Sequence, residues 1–330
     1  MFCGFSLANT CNDFIQDNTS DGITTFTSVS PNVFGNKNNL PMLCNKRNFI
    51  DYFIPKGNSN FVTMYYICMT IRVYMKLTIL GSGTSQGIPV IACNCPVCQS
   101  TDIHDKRLRA SAMLDIGGRK IVIDAGPDFR YQMLRNGVKD IRAILLTHAH
   151  KDHIGGLDDV RAFNWVKQGA IDVYGNLATK EGVYNDFSYA FAEFRYPGVP
   201  EIKFHVLDEQ DFYIDDICIT PIPVLHHKMV VFGFRYKNFA YITDANFIPE
   251  SSMKLLDGVE YLVINALRKE KHISHFTLSE ALDVIQQIAP KQAYITHIGH
   301  QMGLAAEVGG ELPDNVKLAY DTFSIVISES

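Results

Sequence analysis

Three imidazoles and a carboxylate fall within six positions in His148-Ala-His150-Lys-Asp152-His153, directly after the apolar run Ala143–Leu146. Imidazole nitrogen and carboxylate oxygen are the donors that borderline divalent cations prefer. His148 and His150 are two apart, so in extended backbone they point the same way. Asp152 and His153 follow where the chain should turn toward a helix, which lets them face a second ion beside the first. Gly155-Gly156 allows backbone to pass close to such a site. Further donors stand after later apolar runs: His226 and His227, Asp244, and His297 with His300. Any one of these reads alone as a cap or turn residue. With the first cluster they complete two coordination spheres.

A second signal is Cys93-Asn-Cys95-Pro-Val-Cys98. Three thiols so spaced in a reducing compartment read as a zinc site rather than as disulfides. Structural zinc takes four ligands, so one place is left for a donor from elsewhere. Cys3, Cys11, Cys44, Cys68 and Cys218 have no ligand spacing and are expected as free thiols, Cys218 as a small core residue.

The elements that must carry these groups are short apolar runs bounded by Gly, Asp or Thr, which read as strands. They are Leu77–Leu80, Ser111–Ile116, Lys120–Asp124, Ala143–Leu146, Ile171–Tyr174, Ile217–Pro221, Phe232–Tyr236, Ala240–Thr243, Tyr261–Asn265 and Ala293–Thr296. Ala281, Leu282, Ile285 and Ile288 have helical spacing, with Thr277 or Ser279 as cap, Glu280 in the first turn and Pro290 as stop. Chemistry at strand ends, with few helices, predicts a layered α/β domain of two sheets between helices. The aromatic run Tyr184–Tyr196 fits either a wall over the pocket or ordinary core.

Composition bounds the alternatives. The chain has 330 residues, 47% apolar and 20% charged, with a formal charge of −5, which is a globular composition. The longest apolar run, Phe61–Ile71, is too short to cross a bilayer as a helix. Met1–Asn12 has neither the basic nor the apolar region of a secretion signal, so a cytoplasmic location is expected. The acidic balance disfavours nucleic acid as partner, since phosphate backbones demand a basic face. Residues 1–74 differ in kind, with eleven asparagines and no glutamate. They are expected to be an N-terminal extension, either poorly ordered or translated upstream of a true start at Met75. Residues 75–330 are expected to form the folded domain that carries both clusters.

The pattern His-x-His-x-Asp-His after a strand, then His, Asp and His at three later strand ends, resembles the metallo-β-lactamase fold from Met75 to about Ile327. Gly81-Ser-Gly-Thr-Ser-Gln-Gly-Ile-Pro followed by the three cysteines is narrower. It is similar to the cyclic-phosphate phosphodiesterases of the carbon–phosphorus lyase pathway, near the ribonuclease Z branch. His226-x-Lys228 with Phe232-Gly233, Thr243-Asp244, and Thr296-His297-Ile-Gly-His300-Gln301 match that family in order.

The resemblance implies a four-layer αββα sandwich with a dinuclear site at one sheet edge. It implies that His148, His150 and His226 hold one ion, that Asp152, His153 and His297 hold the other, and that Asp244 bridges them. His226 is favoured over His227 by its spacing to Lys228. It gives the fourth place at a structural zinc with Cys93, Cys95 and Cys98 to His300. Asp124 resembles an aspartate that orients ligands from behind. His275 matches an additional histidine before a helix, as general acid or phosphate contact, and Asp152 counts as catalytic as well as ligating. Lys228 and Arg268 stand as anion anchors.

Two divalent ions, zinc or manganese with iron also compatible, would activate a bridging hydroxide for attack on phosphorus. The expected function is hydrolysis of a small phosphodiester, cyclic ones included. A ribonuclease Z-type RNA 3′-processing nuclease and a thioester or lactone hydrolase are the alternatives on the same centre. No membrane partner is expected, and a homodimer stays open.

Overall fold

The computed structural model describes residues 49–53, 64–68 and 74–328. Contacts divide the chain after Arg72 into two units. In the first, β1 (Phe49–Phe53) and β2 (Met64–Cys68) pair antiparallel. β1 precedes Phe61, where the sequence offers no sustained strand period. The expectations for the rest of 1–74, including Cys3, Cys11 and Cys44, lie outside the described residues.

The second unit runs as two halves. The first half holds β3 (Tyr74–Gly81), α1 (Pro96–Gln99), β4 (Ser111–Ile116), β5 (Arg119–Ile123), α2 (Phe129–Arg135) and β6 (Ala143–Leu145). It continues through α3 (Lys151–Ile154), α4 (Arg161–Lys167), β7 (Ile171–Gly175), α5 (Leu177–Asp186), α6 (Ser188–Phe191) and β8 (Ile202–Val206). The second half holds β9 (Phe212–Ile214), β10 (Ile217–His226), β11 (Met229–Tyr236), β12 (Phe239–Ile242), α7 (Glu250–Lys254) and β13 (Tyr261–Asn265). It ends with α8 (Leu278–Ile288), β14 (Gln292–Thr296), α9 (Ala305–Glu311), β15 (Val316–Leu318) and β16 (Ser324–Ser328).

Two seven-stranded sheets result, in the orders β16-β3-β4-β5-β6-β7-β8 and β15-β14-β13-β12-β11-β10-β9. Their facing sides share one apolar core that includes Leu77, Leu114 and Ile121 from one sheet and Phe234, Phe239 and Tyr241 from the other. The outer side of the first sheet packs on α2 through Phe129 and Met133 and on α5 through Val183. The outer side of the second packs on α8 through Ala281 and Ile285. Each helix buries one stripe and each sheet buries both faces, so the layers are α, β, β, α, as the sequence predicts.

Strand direction decides where the polar groups emerge. β5, β6, β7 and β8 run parallel, and so do β12, β13, β14 and β15. β10 is antiparallel to β11, which is antiparallel to β12, so β10 again runs with β12. The C-terminal ends of β5, β6, β10, β12 and β14 therefore open on one edge. The two sheets are tied there by the Phe232 amide, which donates to the Thr147 carbonyl at 3.0 Å. Ligands of open α/β sheets sit at this end of the strands because the connecting loops leave a crevice there.

Several boundaries differ from expectation for visible reasons. The β10–β11 hairpin is longer than its apolar runs, continuing through Pro223 to His226, because the ladder persists beyond Pro221. α8 starts at Leu278, with Thr277 rather than Ser279 as its cap in a full capping box with Glu280. Such a cap contributes about 1 kcal/mol. α5 has no apolar stripe to announce it, since only Thr179 and Val183 are buried, and the Asn176 side chain caps it. Among the described residues, no helix is long and apolar enough to cross a membrane.

Candidate metal centre

Four of the candidate ligands stand at strand ends on the common edge. His148 follows β6, His226 closes β10, Asp244 follows β12 and His297 follows β14. His150 caps the short α3, whose first turn carries Asp152 and His153. Asp124, Asp244 and His297 each adopt left-handed backbone, with φ of 62°, 60° and 54°. Non-glycine residues rarely sit there, and the cost of about 1–3 kcal/mol each is typical of functional turns. Two close approaches also shape the loop. A Cβ on Gly126 would meet the Asp152 carbonyl at 1.9 Å, and one on Gly182 of α5 would meet the Ala149 side chain at 2.3 Å.

The donors form two groups that share one residue. His148, His150, His226 and Asp244 make the first, and Asp152, His153, Asp244 and His297 the second, each with ligand atoms within 4.8 Å of one another. One Asp244 oxygen lies 3.0 Å from His297 Nε2, and the other lies 3.2 Å from His153 Nε2 and 3.6 Å from His148 Nε2. His148, His153, Asp244 and His297 are buried.

Neighbouring hydrogen bonds decide which nitrogen each imidazole offers. Asp124 accepts the Thr147 amide at 2.8 Å, the Thr147 hydroxyl at 2.9 Å and His153 Nδ1 at 2.7 Å. Because Thr147 donates its hydroxyl proton to Asp124, its oxygen accepts from His148 Nδ1 at 2.9 Å. One buried carboxylate thus fixes two histidines, both with Nε2 turned to the centre. His226 Nδ1 donates to the Ser274 carbonyl at 2.8 Å, which turns its Nε2 the same way. His150 presents Nδ1, 2.9 Å from His148 Nε2. Thr147 and the Ser274 carbonyl carry no mark of this role in the sequence.

The donors fit a divalent cation in each group. His153 Nε2 and His297 Nε2 are buried with no hydrogen-bond partner. With Nδ1–H already given to Asp124, His153 Nε2 directs a lone pair at carboxylate oxygens only 3.1 Å and 3.2 Å away. Only a cation or a proton between them makes that arrangement favourable.

Charge follows the same logic. Burial opposes ionisation of Asp244, but His153, His297 and His148 outweigh it and hold its carboxyl well below the usual range. Burial likewise opposes a charge on His153, yet Asp244, Asp124 and Asp152 raise it well above 6.5. Burial and His153 push His148 far down. The stabilising contribution of Asp244 is therefore present above its ordinary 3.8 and is lost as pH falls through its lower folded value. That of His153 is full below 6.5 and is lost as pH rises through its higher folded value. A metal displaces the His153 proton, so the gain in Tm on adding zinc or manganese should grow as pH rises from about 5.5 to 8. Differential scanning calorimetry of metal-free protein across that range checks it.

Asp124→Asn removes the acceptor that serves two candidate ligands while leaving all seven candidates in place. It should weaken metal affinity about 10–100-fold, read by competition with a chelator. Unchanged affinity would mean Asp124 is only a turn residue.

At the β10–β11 turn the structure places His226, and not His227, among the first group of donors. His226 is buried in the first group, whereas His227 is exposed in left-handed backbone, φ 57°, its amide donating to the Asn246 side chain. Lys228 is exposed beside it. Arg268 spends its guanidinium on the Glu270 and Lys271 carbonyls, at 3.2 Å and 3.0 Å, which folds the Arg268–Ser274 loop.

His275 lies beside the centre rather than in it. Its ring centroid is 4.7 Å from that of His226 and 4.9 Å from that of His297, and its Nδ1 is buried without a partner. Burial and the neighbouring His297 push its pKa down to about 3. The aromatic run divides. Phe187 and Ala190 are buried, Tyr184 stacks on Phe191 at 3.8 Å, and Phe194 and Tyr196 are exposed.

The cysteine loop forms a separate cluster. His300 Nδ1 lies 3.3, 3.4 and 3.6 Å from the sulfurs of Cys93, Cys95 and Cys98. The Cys98 amide donates to Cys95 and lowers its thiol to about 6, while burial raises Cys98 to about 11. The intervening backbone is laced, since Thr84 donates to the Ile298 carbonyl and Ile298 to the Ser82 carbonyl. The thiol cluster therefore anchors the loop that begins with His297.

A family model described as the β-lactamase superfamily domain matches residues 119–298, which take in all seven residues of the paired donor groups and none of the cysteine cluster. A solved structure, described as a new diphosphatase from the PhnP family, shares 36% identity, with a TM-score of 0.73, over 78% of this chain and 98% of that one. The chain belongs to the metallo-β-lactamase superfamily and, within it, to the PhnP family. Members of that superfamily are metal-dependent hydrolases, and the fold implies divalent metal. A Porphyromonas gingivalis protein named octanoyltransferase is 36% identical over 258 residues, 77% of this chain and 52% of that protein. A Nostoc punctiforme ribonuclease Z is 28% identical over 165 residues, 49% of this chain and 46% of that protein. The PhnP-family chain thus spans about half the length of the curated relatives it matches.

Proposed function

We propose that the chain is a dinuclear metal-dependent phosphodiesterase acting on a small substrate. The observation that carries this reading is the pair of donor groups sharing Asp244, with His275 stacked beside them. His148, His150, His226 and Asp244 would hold one ion, and Asp152, His153, His297 and Asp244 the other. Cys93, Cys95, Cys98 and His300 would hold a structural zinc, a closed set with no open position. Bound at the first two places, divalent cations supply an acidified water and stabilise charge on the phosphoryl oxygens.

The side chains have their own tasks. Asp124 and Thr147 keep His148 and His153 in one tautomer. The Ser274 carbonyl does the same for His226, and Ser274 adjoins His275, so a ligand and its neighbour are fixed by one loop. A His275 pKa near 3 leaves the imidazole neutral at pH 7. It then acts as an N–H donor to a phosphoryl oxygen rather than as a stored proton.

Support for phosphorus as the target comes from the diphosphatase and ribonuclease Z relatives, both named for phosphorus–oxygen cleavage. The net charge of −5 favours a small substrate over RNA. The test is a panel of bis(p-nitrophenyl) phosphate, a cyclic nucleotide phosphate, a dinucleoside diphosphate, a pre-tRNA and a thioester, run on metal-loaded protein. Turnover of the small phosphate esters or anhydrides is expected. Activity confined to the pre-tRNA or the thioester would overturn the proposal.

A further inference from the structure

Beyond His275 stands another histidine that the centre does not use. His272 stacks on the outer side of His275, with centroids 5.0 Å apart and rings 29° from parallel. His275 in turn stacks on His297 at 4.9 Å and 23°. Three imidazoles thus step outward from a buried ligand, through a buried neighbour, to a half-buried group at the rim.

The tautomer of His272 is fixed by its own loop. The Ser274 amide donates to His272 Nδ1 at 3.3 Å, so the ring proton sits on Nε2. Burial, and then the positive charge of Arg268, whose guanidinium folds the turn just before His272, lower the pKa of this imidazole. The rim outside His275 therefore offers an Nε2–H donor beside a guanidinium.

Adjacent phosphoryl groups of a diphosphate are separated by a single bridging oxygen. A donor one ring-spacing outside His275 is placed for the second of them when the first lies at the centre. We propose that His272 is a specificity-determining residue that hydrogen-bonds the anionic leaving phosphoryl group, so that the site selects diphosphate-linked substrates over diesters with uncharged leaving groups. This inference rests on the phosphodiesterase reading and narrows its substrate class.

The test compares full-length wild type with His272→Ala and His272→Gln on two substrates, a dinucleoside diphosphate and bis(p-nitrophenyl) phosphate. It adds calorimetric binding of methylenediphosphonate and metal analysis of each variant. A hydrogen bond to a charged group is worth about tenfold or more. The preference for the dinucleoside diphosphate, as a ratio of kcat/KM values, should fall about tenfold in His272→Ala, through KM rather than kcat. Methylenediphosphonate should bind more weakly by a similar factor, with metal content equal to wild type, and glutamine should restore part of both losses. An unchanged ratio with unchanged diphosphonate affinity overturns the inference, as does an equal loss on both substrates. Wild type that cleaves bis(p-nitrophenyl) phosphate but not the diphosphate overturns it too, and leaves the phosphodiesterase reading standing. Wild type that cleaves neither fails the phosphodiesterase reading, and the diphosphonate affinities then judge His272 alone.

Discussion

Asp244→Asn is expected to lower metal content at the paired groups and to cut turnover of bis(p-nitrophenyl) phosphate by well over 100-fold, the approximate upper cost of losing a partner that only supports a ligand. Asp244 is the one residue common to both groups, and both its oxygens face imidazole Nε2 atoms. Asparagine keeps the volume but removes the charge that His153, His297 and His148 balance in a buried space. It also replaces one of the two oxygens by an amide NH2, which cannot bind a cation, so the variant can no longer offer a carboxylate oxygen to both groups at once. Elemental analysis of the purified variant, alongside wild type, reads the first effect directly. Full metal content with unaltered turnover would remove Asp244 from the centre.

His275→Ala should behave differently, and the contrast separates holding the cations from contacting the substrate. None of the seven proposed ligands is changed, so metal content should match wild type. Loss of one positioned donor to a developing charge costs about 10²–10³-fold in kcat. The pH profile adds a sign. A histidine pushed down to about 3 is neutral throughout the working range. Its donor therefore stays available, and wild-type kcat should show no limb near pH 6.5 assignable to it. Steady-state kinetics from about pH 5 to 8 on both proteins tests this, since an ordinary histidine would titrate within that interval. A wild-type limb near 6.5 that disappears in His275→Ala would instead make His275 a proton donor that is charged at rest.

Much of the site was legible because metal chemistry restricts residue type. His148, His150, Asp152 and His153 crowd into six positions, and only a loop after a strand can use them together. Asp244 and His297 could be read once a second half-site was sought at strand ends. What lay beyond the sequence was geometry set by tertiary packing. Nothing in Leu146-Thr147-His148 indicates that the Thr147 hydroxyl passes the influence of Asp124 to His148. Nothing in the Arg268–Ser274 segment says that Arg268 folds the loop rather than greeting an anion.

The fold shows the same division. Strands such as Ser111–Ile116 and Tyr261–Asn265 are mostly apolar and buried on both faces, and emerge with the expected bounds. α8 declares itself by its capping box and apolar stripe. α5 does not, because its placement follows from the close approach of Gly182 to Ala149, a contact between residues 33 positions apart. β16 is short and exposed on one side, and only its pairing with β3 defines it.

The account depends most on two cations sharing Asp244. The direct measurement is anomalous scattering from crystals of metal-loaded protein, collected at the absorption edge of the bound element. Two peaks are predicted, one among His148, His150, His226 and Asp244, the other among Asp152, His153, His297 and Asp244. A single peak there, or density confined to the cysteine cluster, would contradict the account.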